Sequence, residues 1–572
     1  MAASRKRWLG LFPVFFVCAA LLFLVANRGA YKGYFQDDDL DNLSFTQQIS
    51  TWDFVTPLLL PRYFENNFRP TGHLFYHWMG ESAGLNFPPY IAAIHAFHLA
   101  NVVLLWMVLR RLGLPPVGRA AGALFFVFHI AAFDVYWKPM YVFDLMCCSL
   151  CLLSLLTYMQ GHWITSLAAF LLAYHAKEVA IMLPVVLLGY EFLLGERRWK
   201  RLLPFFAVSL FIGVQAIWIN RHRPIGDYSL RFDPGSLWQC VLFYSSNVFL
   251  VPYAGFAVLL LVLVRDRRVQ FGILSFCALL LPMLLLPGRL FSAYLYVPLI
   301  GLAVAAGSLA ARPGSLPARQ RVAWAALFFA LWVPWNYSHL RSLRNAALSE
   351  VPDRRSFVQG LADLSRNRPE IVTFIYDKGP VNWSGTRGVL KIFHSGHAIR
   401  YTRARDSESD DFLRGPGPVA VIDWDQQQHR MISVIRNRDT GDASYIQIDG
   451  DTPVSQLKKG WYPLEDNFRW TEPLATARLR RPAEAKQFEI IVNIGPQYIS
   501  QVGRSHIVVS LDGRRIGQAD FAQTGWQTVR WNLAPASPGI VEMSILTSPE
   551  LRMPQALGSA IVAFGFLPRE KK

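Results

Sequence analysis

The sequence predicts an α-helical polytopic membrane domain followed by an extracytoplasmic domain containing a β-sandwich. Apolar runs of about 18 or more residues recur along the N-terminal part, each able to cross about 30 Å of hydrocarbon. The short connections between those runs carry the basic residues. From about residue 455 the hydrophobic pattern changes to alternation with period two, the signature of half-buried strands.

Composition agrees. A chain of 572 residues that is 52% hydrophobic is too long for one ordinary domain and too apolar for a soluble one. The net charge of +17 would suit a nucleic-acid partner, but its distribution excludes that reading. Basic residues gather in "SRKR" (4–7), "LRRLG" (109–113), "GERRWKR" (195–201), "RDRR" (265–268) and "ARPGSLPARQR" (311–321). Basic clusters at alternate span ends set topology under the positive-inside rule.

The elements follow in order. "WLGLFPVFFVCAALLFLVA" (8–26) is longer than a signal-peptide core and reads as a retained first span, its N-terminus cytoplasmic. An external loop follows (27–88), then spans near 89–109, 119–133, 142–159, 162–175, 179–194 and 202–219. One or two helices, further spans near 269–286 and 322–336, and one between them bring the total to about eleven. Every basic cluster then falls inside. The expected domains are a membrane domain (1–337), a mixed α/β connector (338–454) and a β-sandwich (455–572). In the last, the Asp-Gly pair of "HIVVSLDGRRIG" marks a hairpin. All six cysteines lie in apolar segments at or before residue 277, and "CCSLC" (147–151) reads as small residues packed in a helix.

Ionisable groups at membrane depth are functional candidates, because each is costly to place there. Four groups fall at outward span ends: Asp37, Asp38, Asp39 and Asp41; Asp134 with Lys138 and Asp144; His175, Lys177 and Glu178; and Arg289 with Tyr294 and Tyr296. A carboxylate can take the proton of an acceptor hydroxyl, and Lys or Arg can hold a departing phosphate. Outside the cytoplasm a sugar would arrive on a lipid rather than a nucleotide, and no phosphate-cradling glycine loop is present. Simpler roles stand beside these. The Asp run could be a solvated collar or a helix cap, Asp41 reads as structural, Lys177 could snorkel, and His95, His98 and His175 could be packed. No His/Cys/Glu set has zinc spacing; a Mg²⁺ or Mn²⁺ ion on Asp38 and Asp39 is an open possibility.

"FQDDDLDNL" after the first span resembles the acidic first-loop motif of GT-C membrane glycosyltransferases, such as protein O-mannosyltransferases and the aminoarabinose transferase of lipid A. "FRPTGHLFYHWMG", which holds Arg69, with the following "FPPYIAAIHAFHLANVVLL" is similar to that family's next stretch. "HAKEVAIMLPVVLLGYE" and "GRLFSAYLYVPLIGLAVA" resemble its Lys-Glu…Leu-Pro and Arg-Tyr segments. The resemblance runs over about 20–310, in matching order. It implies an inverting transferase using a polyprenyl-phosphate sugar donor in a bacterial inner membrane, acting on a protein, glycan or lipid acceptor. It places the acidic pair on Asp38 and Asp39, with Asp37 in an alternative register, and the second-loop acid on Asp144. Lys177 and Arg289, with Tyr294 and Tyr296, would meet the lipid phosphate. Two extra residues between Arg289 and the tyrosines depart from the usual form.

In the tail, "GWYPLEDNFRWTEP" (460–473) resembles the start of jelly-roll modules appended to such enzymes. Trp461, Tyr462 and Trp470 could stack on sugar rings or fill the sandwich core. A rival from another class is a non-catalytic lipid-glycan transporter or envelope-assembly subunit, with the same charges lining a path.

Overall fold

The computed structural model describes residues 11–64, 67–220, 229–311, 318–395, 397–406, 408–414, 417–436, 442–448, 456–465, 467–552 and 556–567. The chain divides into two compact units, Met1–Ser349 and Glu350–Lys572.

In the first unit, four helices are long and apolar enough to cross a membrane: Phe87–Arg111, Pro139–Met159, Trp199–Ile219 and Arg267–Leu284. Pro116–Val127 and Ile130–Tyr136, bent by 62°, make a fifth if they form one crossing. Shorter apolar helices are Pro13–Ala26, Trp163–Ala176, Ala254–Leu263 and Leu299–Ala311. The chain is a multi-pass membrane protein. Among the described residues, fewer helices reach spanning length than the eleven expected, because breaks interrupt several runs. After Ala176 the backbone is extended at Lys177 and resumes as a 3₁₀ turn, Glu178–Met182, before the helix Leu183–Leu193. Pro184 stands in the first turn of that last helix, where its missing N–H leaves no helical hydrogen bond unmade. Near the other end, the helix Ala318–Ser349 runs past the span end expected near 336.

Small residues let neighbouring helices touch backbone to backbone. A Cβ on Gly118 would lie 2.6 Å from the carbonyl of Gly307, and one on Gly122 would lie 2.7 Å from that of Ala303. On the other side, a Cβ on Gly272 would meet the carbonyl of Gly301 at 2.6 Å. The helix Leu299–Ala311 is thus wedged between Pro116–Val127 and Arg267–Leu284.

The first loop is ordered by its own short helices, Asp37–Thr46, Thr51–Leu58 and Pro70–Ala83. The acidic run is therefore a helix start, where carboxylates complement the helix dipole.

The second unit begins with helices Val351–Asn367 and Trp383–Phe393 and a four-stranded sheet. Thr373–Tyr376 lies in that sheet between the parallel strands Arg400–Arg403 and Val419–Asp425, and Arg430–Arg436 closes it antiparallel. Two antiparallel sheets follow. One has the order Arg514–Phe521, Ser505–Leu511, Gly539–Ser548, Leu474–Arg481. The other runs Gly525–Asn532, Gln487–Ile494, Ala560–Leu567, Phe468–Thr471, Trp461–Glu465, with Tyr445–Gln447 also paired to Ala560–Leu567. This early strand precedes the start expected at 455. Leu479, Ile507 and Met543 from one sheet and Phe488, Ile490 and Phe564 from the other share one core, so the pair is a β-sandwich. The expected hairpin turns at Asp512 and Gly513, both at positive φ (49° and 74°), as a tight primed turn requires.

Candidate functional site

Successive side chains on a helix point about 100° apart, so three consecutive aspartates cannot face one way. Asp39 turns inward and is fully buried. One of its oxygens accepts the Gln36 backbone N–H at 2.7 Å, closing a capping box. The other accepts the Tyr76 hydroxyl at 2.6 Å. Burial pushes this carboxyl up to about 7, against the pull of those two hydrogen bonds. Asp38 faces outward and is exposed; Asp37 is half-buried. The Asp38 carboxylate is reached by solvent yet ringed by protein. This surrounding raises its pKa, and Arg289 and Arg69 act in the opposite direction. Asp41 is exposed on the helix's next turn.

Arg69, preceding the helix Pro70–Ala83, makes a bidentate pair with Glu178: Nε to Oε1 and Nη2 to Oε2, both 2.9 Å. Its guanidinium lies over the Phe143 ring at 5.4 Å. At the break after Ala176, Lys177 turns its Nζ to Asp144 Oδ2 at 2.5 Å. Both side chains of this pair are buried, at 9% and 3% exposure, so each charge depends on the other. The same ammonium sits 4.4 Å from the centre of the Tyr294 ring. Lys138 pairs with Asp134 at 2.9 Å, and its charge also reaches Asp39. Tyr141 lies within electrostatic reach of Asp38, Asp134, Asp144 and Tyr294. Residues from four separate sequence regions therefore converge around Asp38: the first loop, the 134–144 segment, the 177–178 break and the 289–294 turn.

Other expected site residues lie elsewhere. Tyr296 is fully buried and its hydroxyl meets His98 Nδ1 at 2.8 Å and accepts from Asn101 Nδ2 at 3.1 Å. His95 binds the Tyr136 carbonyl at 2.9 Å. His175 is buried at the end of its helix beside Phe64 and Tyr174. In the second unit, Trp461 is in the sandwich core: it stacks on Phe564 and donates its indole N–H to the Thr476 carbonyl. Tyr462 donates to the Ala556 carbonyl, and Trp470 is half-buried.

Sequence reasoning missed Tyr76 and Tyr141. Arg69, His73 and Tyr76 fall at spacings of four and three, one face of the helix, and that periodicity could have flagged Tyr76. His73 accepts the Arg69 backbone N–H at 2.9 Å and meets Asn42 at 3.1 Å, tying the two loop helices together. Its pKa is lowered to about 3, first by burial and then by Arg69.

Both Asp39 oxygens are engaged, and among the described residues no three His, Cys, Asp or Glu converge as ligands.

The two units define a multi-pass membrane protein with an acid-and-cation cluster and a β-sandwich module. No family model matches the sequence, and no curated protein matches it. Solved structures do align. ArnT from Cupriavidus metallidurans bound to undecaprenyl phosphate is 14% identical, with 74% of this chain and 98% of that chain covered, at TM-score 0.45. An Archaeoglobus fulgidus oligosaccharyltransferase is 9% identical, covers 96% and 95%, and has TM-score 0.46. The arabinofuranosyltransferase AftD from Mycobacteria is 11% identical at TM-score 0.45; 96% of this chain aligns, spanning 58% of AftD. All three are GT-C glycosyltransferases. At these scores the likenesses carry no residue-level correspondence, and what the site can do follows from its own side chains.

Proposed function

We propose that the chain is an inverting glycosyltransferase of GT-C type that moves a sugar from a polyprenyl-phosphate donor to an extracytoplasmic protein, glycan or lipid acceptor. The observation that carries this reading is the Asp38 carboxylate, exposed to solvent and within electrostatic reach of Arg289 and Arg69. In the proposed step the acceptor oxygen attacks the anomeric carbon and the bond from that carbon to the phosphate oxygen breaks. Asp38 takes the hydroxyl proton, and the electron pair leaves on polyprenyl phosphate. Arg289 and Lys177 would balance the charge that builds on the leaving phosphate, and Arg69, held by Glu178, would orient it. Asp144 would keep Lys177 charged and aimed, and Tyr294 would pack against that ammonium. Asp39 would hold the helix start that presents Asp38.

The threading expected from the sequence, which puts every basic cluster on one side, supports a cytoplasmic N-terminus and an external second unit, and the family resemblance supports a bacterial plasma membrane. The test uses proteoliposomes supplied with radiolabelled polyprenyl-phosphate sugars. Asp38→Asn is expected to lower transfer by about 10²–10⁴-fold, the usual contribution of a general base, while still binding donor. Undiminished transfer by Asp38→Asn removes the base assignment. A parent protein that binds donor and never releases polyprenyl phosphate favours a transporter or assembly subunit instead.

A further inference from the structure

The helix Pro234–Val248 lies beside the acid-and-cation cluster, and both of its ends are fixed. At its start the Asp233 side chain accepts the Ser236 backbone N–H at 2.8 Å as an N-cap. Just before it the Arg231 N–H donates to the Leu285 carbonyl at 2.9 Å, which ties this segment to the chain leading into Arg289. Past its end the turn Ala254–Phe256 packs closely on the helix: a Cβ on Gly255 would lie 2.5 Å from the Ser245 carbonyl. Cys240, Tyr244 and Val248, at spacings of four, belong to its buried face. The helix also packs against the 3₁₀ turn Ser292–Leu295, which carries Tyr294.

Tyr244 is 1% exposed, and its hydroxyl is buried with no hydrogen-bond partner; among the described tyrosines it is the only one in that state. The hydroxyls of the buried Tyr76, Tyr158 and Tyr498 donate to Asp39, Glu191 and the Pro549 carbonyl. A phenol kept from water without an acceptor is costly, so such groups are rare and call for a functional reason.

The surroundings of Tyr244 select the acceptor. It lies within electrostatic reach of Tyr294 and Cys240, and among the described residues no carboxylate acts on it. Tyr141 differs: it reaches Tyr294 too, but stands among Asp38, Asp134 and Asp144. The Tyr294 ring carries the Lys177 ammonium, 4.4 Å from its centre. Lys177 and Arg289 have donors only, so neither can accept the Tyr244 O–H. A phosphate oxygen can. The same anion is drawn by the two cations and keeps lone pairs for a neutral donor.

We propose that the Tyr244 hydroxyl donates a hydrogen bond to the lipid phosphate, joining Lys177 and Arg289 as the groups that hold it. The inference rests on the transferase reading and deepens it, since polyprenyl phosphate is the leaving group there; its test is read by binding rather than by transfer. The full-length protein in detergent is titrated with undecaprenyl phosphate, undecaprenol and inorganic phosphate, each radiolabelled, and its thermal unfolding is followed with and without them. The parent is expected to bind undecaprenyl phosphate, and Tyr244→Phe to bind it about tenfold more weakly, as the loss of one hydrogen bond to a charged acceptor requires. Undecaprenol should bind both proteins alike. Without lipid, Tyr244→Phe should unfold at the parent's midpoint or above it, because the change deletes a buried hydroxyl that has no partner. Equal binding of undecaprenyl phosphate by parent and variant, no binding by the parent, or a lipid-free midpoint that falls in the variant overturns the proposal. Inorganic phosphate that binds as tightly as the lipid, with the same loss in the variant, assigns the hydroxyl to a free anion and overturns it too. A parent that binds the lipid through Tyr244 but transfers no sugar keeps this assignment and removes the transferase reading. A parent that transfers sugar, with a variant that binds the lipid equally well, does the reverse.

Discussion

Replacing Asp39 tests how the first loop is held. Asp39→Ala removes the acceptor for the Gln36 N–H, a cap worth about 1 kcal/mol, and strands the buried Tyr76 hydroxyl, costing about 1–3 kcal/mol more. The expected loss is about 2–4 kcal/mol. Asp39→Asn should cost far less. Its carbonyl can still accept from Gln36, and its amide can donate to the Tyr76 oxygen. The two variants also separate by pH. The folded Asp39 carboxyl titrates at about 7, raised by burial from 3.8. Between those values the folded chain holds a proton that the unfolded chain has released, so stability falls as pH rises. A gap of about three units bounds the loss at roughly 4 kcal/mol. This stability is fully present below the unfolded value and gone once pH passes the folded one. Asparagine cannot titrate, so Asp39→Asn should flatten this part of the curve. Thermal unfolding in detergent at intervals across about pH 4 to 8 measures both effects. An Asn variant with the parent's pH slope, or an Ala variant as stable as the parent, would refute the reasoning.

Three further outcomes are expected. Lys177→Ala should destabilise the protein by about 3–5 kcal/mol by leaving Asp144 buried and unpaired, whereas Lys177→Met with Asp144→Leu should recover most of that loss yet bind polyprenyl phosphate weakly. Unfolding midpoints and lipid-phosphate binding distinguish the two effects. Transfer should rise with pH through the Asp38 pKa, since a base acts only when deprotonated. Arg289→Gln should move that limb to higher pH, because Arg289 lowers the Asp38 pKa; an unmoved limb would detach Arg289 from the base. Gly301→Ala would set a Cβ 2.4 Å from the Gly272 carbonyl and the Phe276 amide, backbone atoms that cannot swing away, and should cost about 1–3 kcal/mol. Gly213→Ala, whose new Cβ would meet only a side-chain carbon at 4.0 Å, should be neutral or slightly stabilising in the same melt.

The membrane class, the C-terminal strands and the Asp512-Gly513 hairpin were legible in the linear sequence. Each is written in local patterns: apolar runs, period-two alternation, and residues that tolerate positive φ. The sequence by itself also singled out the segments that converge, because ionisable groups beside apolar runs are conspicuous. It could not sort three adjacent aspartates. That depended on the phase of a helix and on Tyr76, which meets Asp39 from 37 positions away. Nor could it pair Lys177 with Asp144 across 33 positions, or Arg69 with Glu178 across 109. Trp461 and Trp470 look alike in one aromatic stretch, yet strand register turned the first into the core and the second onto the outer face. Local periodicity is encoded residue by residue, but which face is buried, and against what, is decided only when distant segments pack.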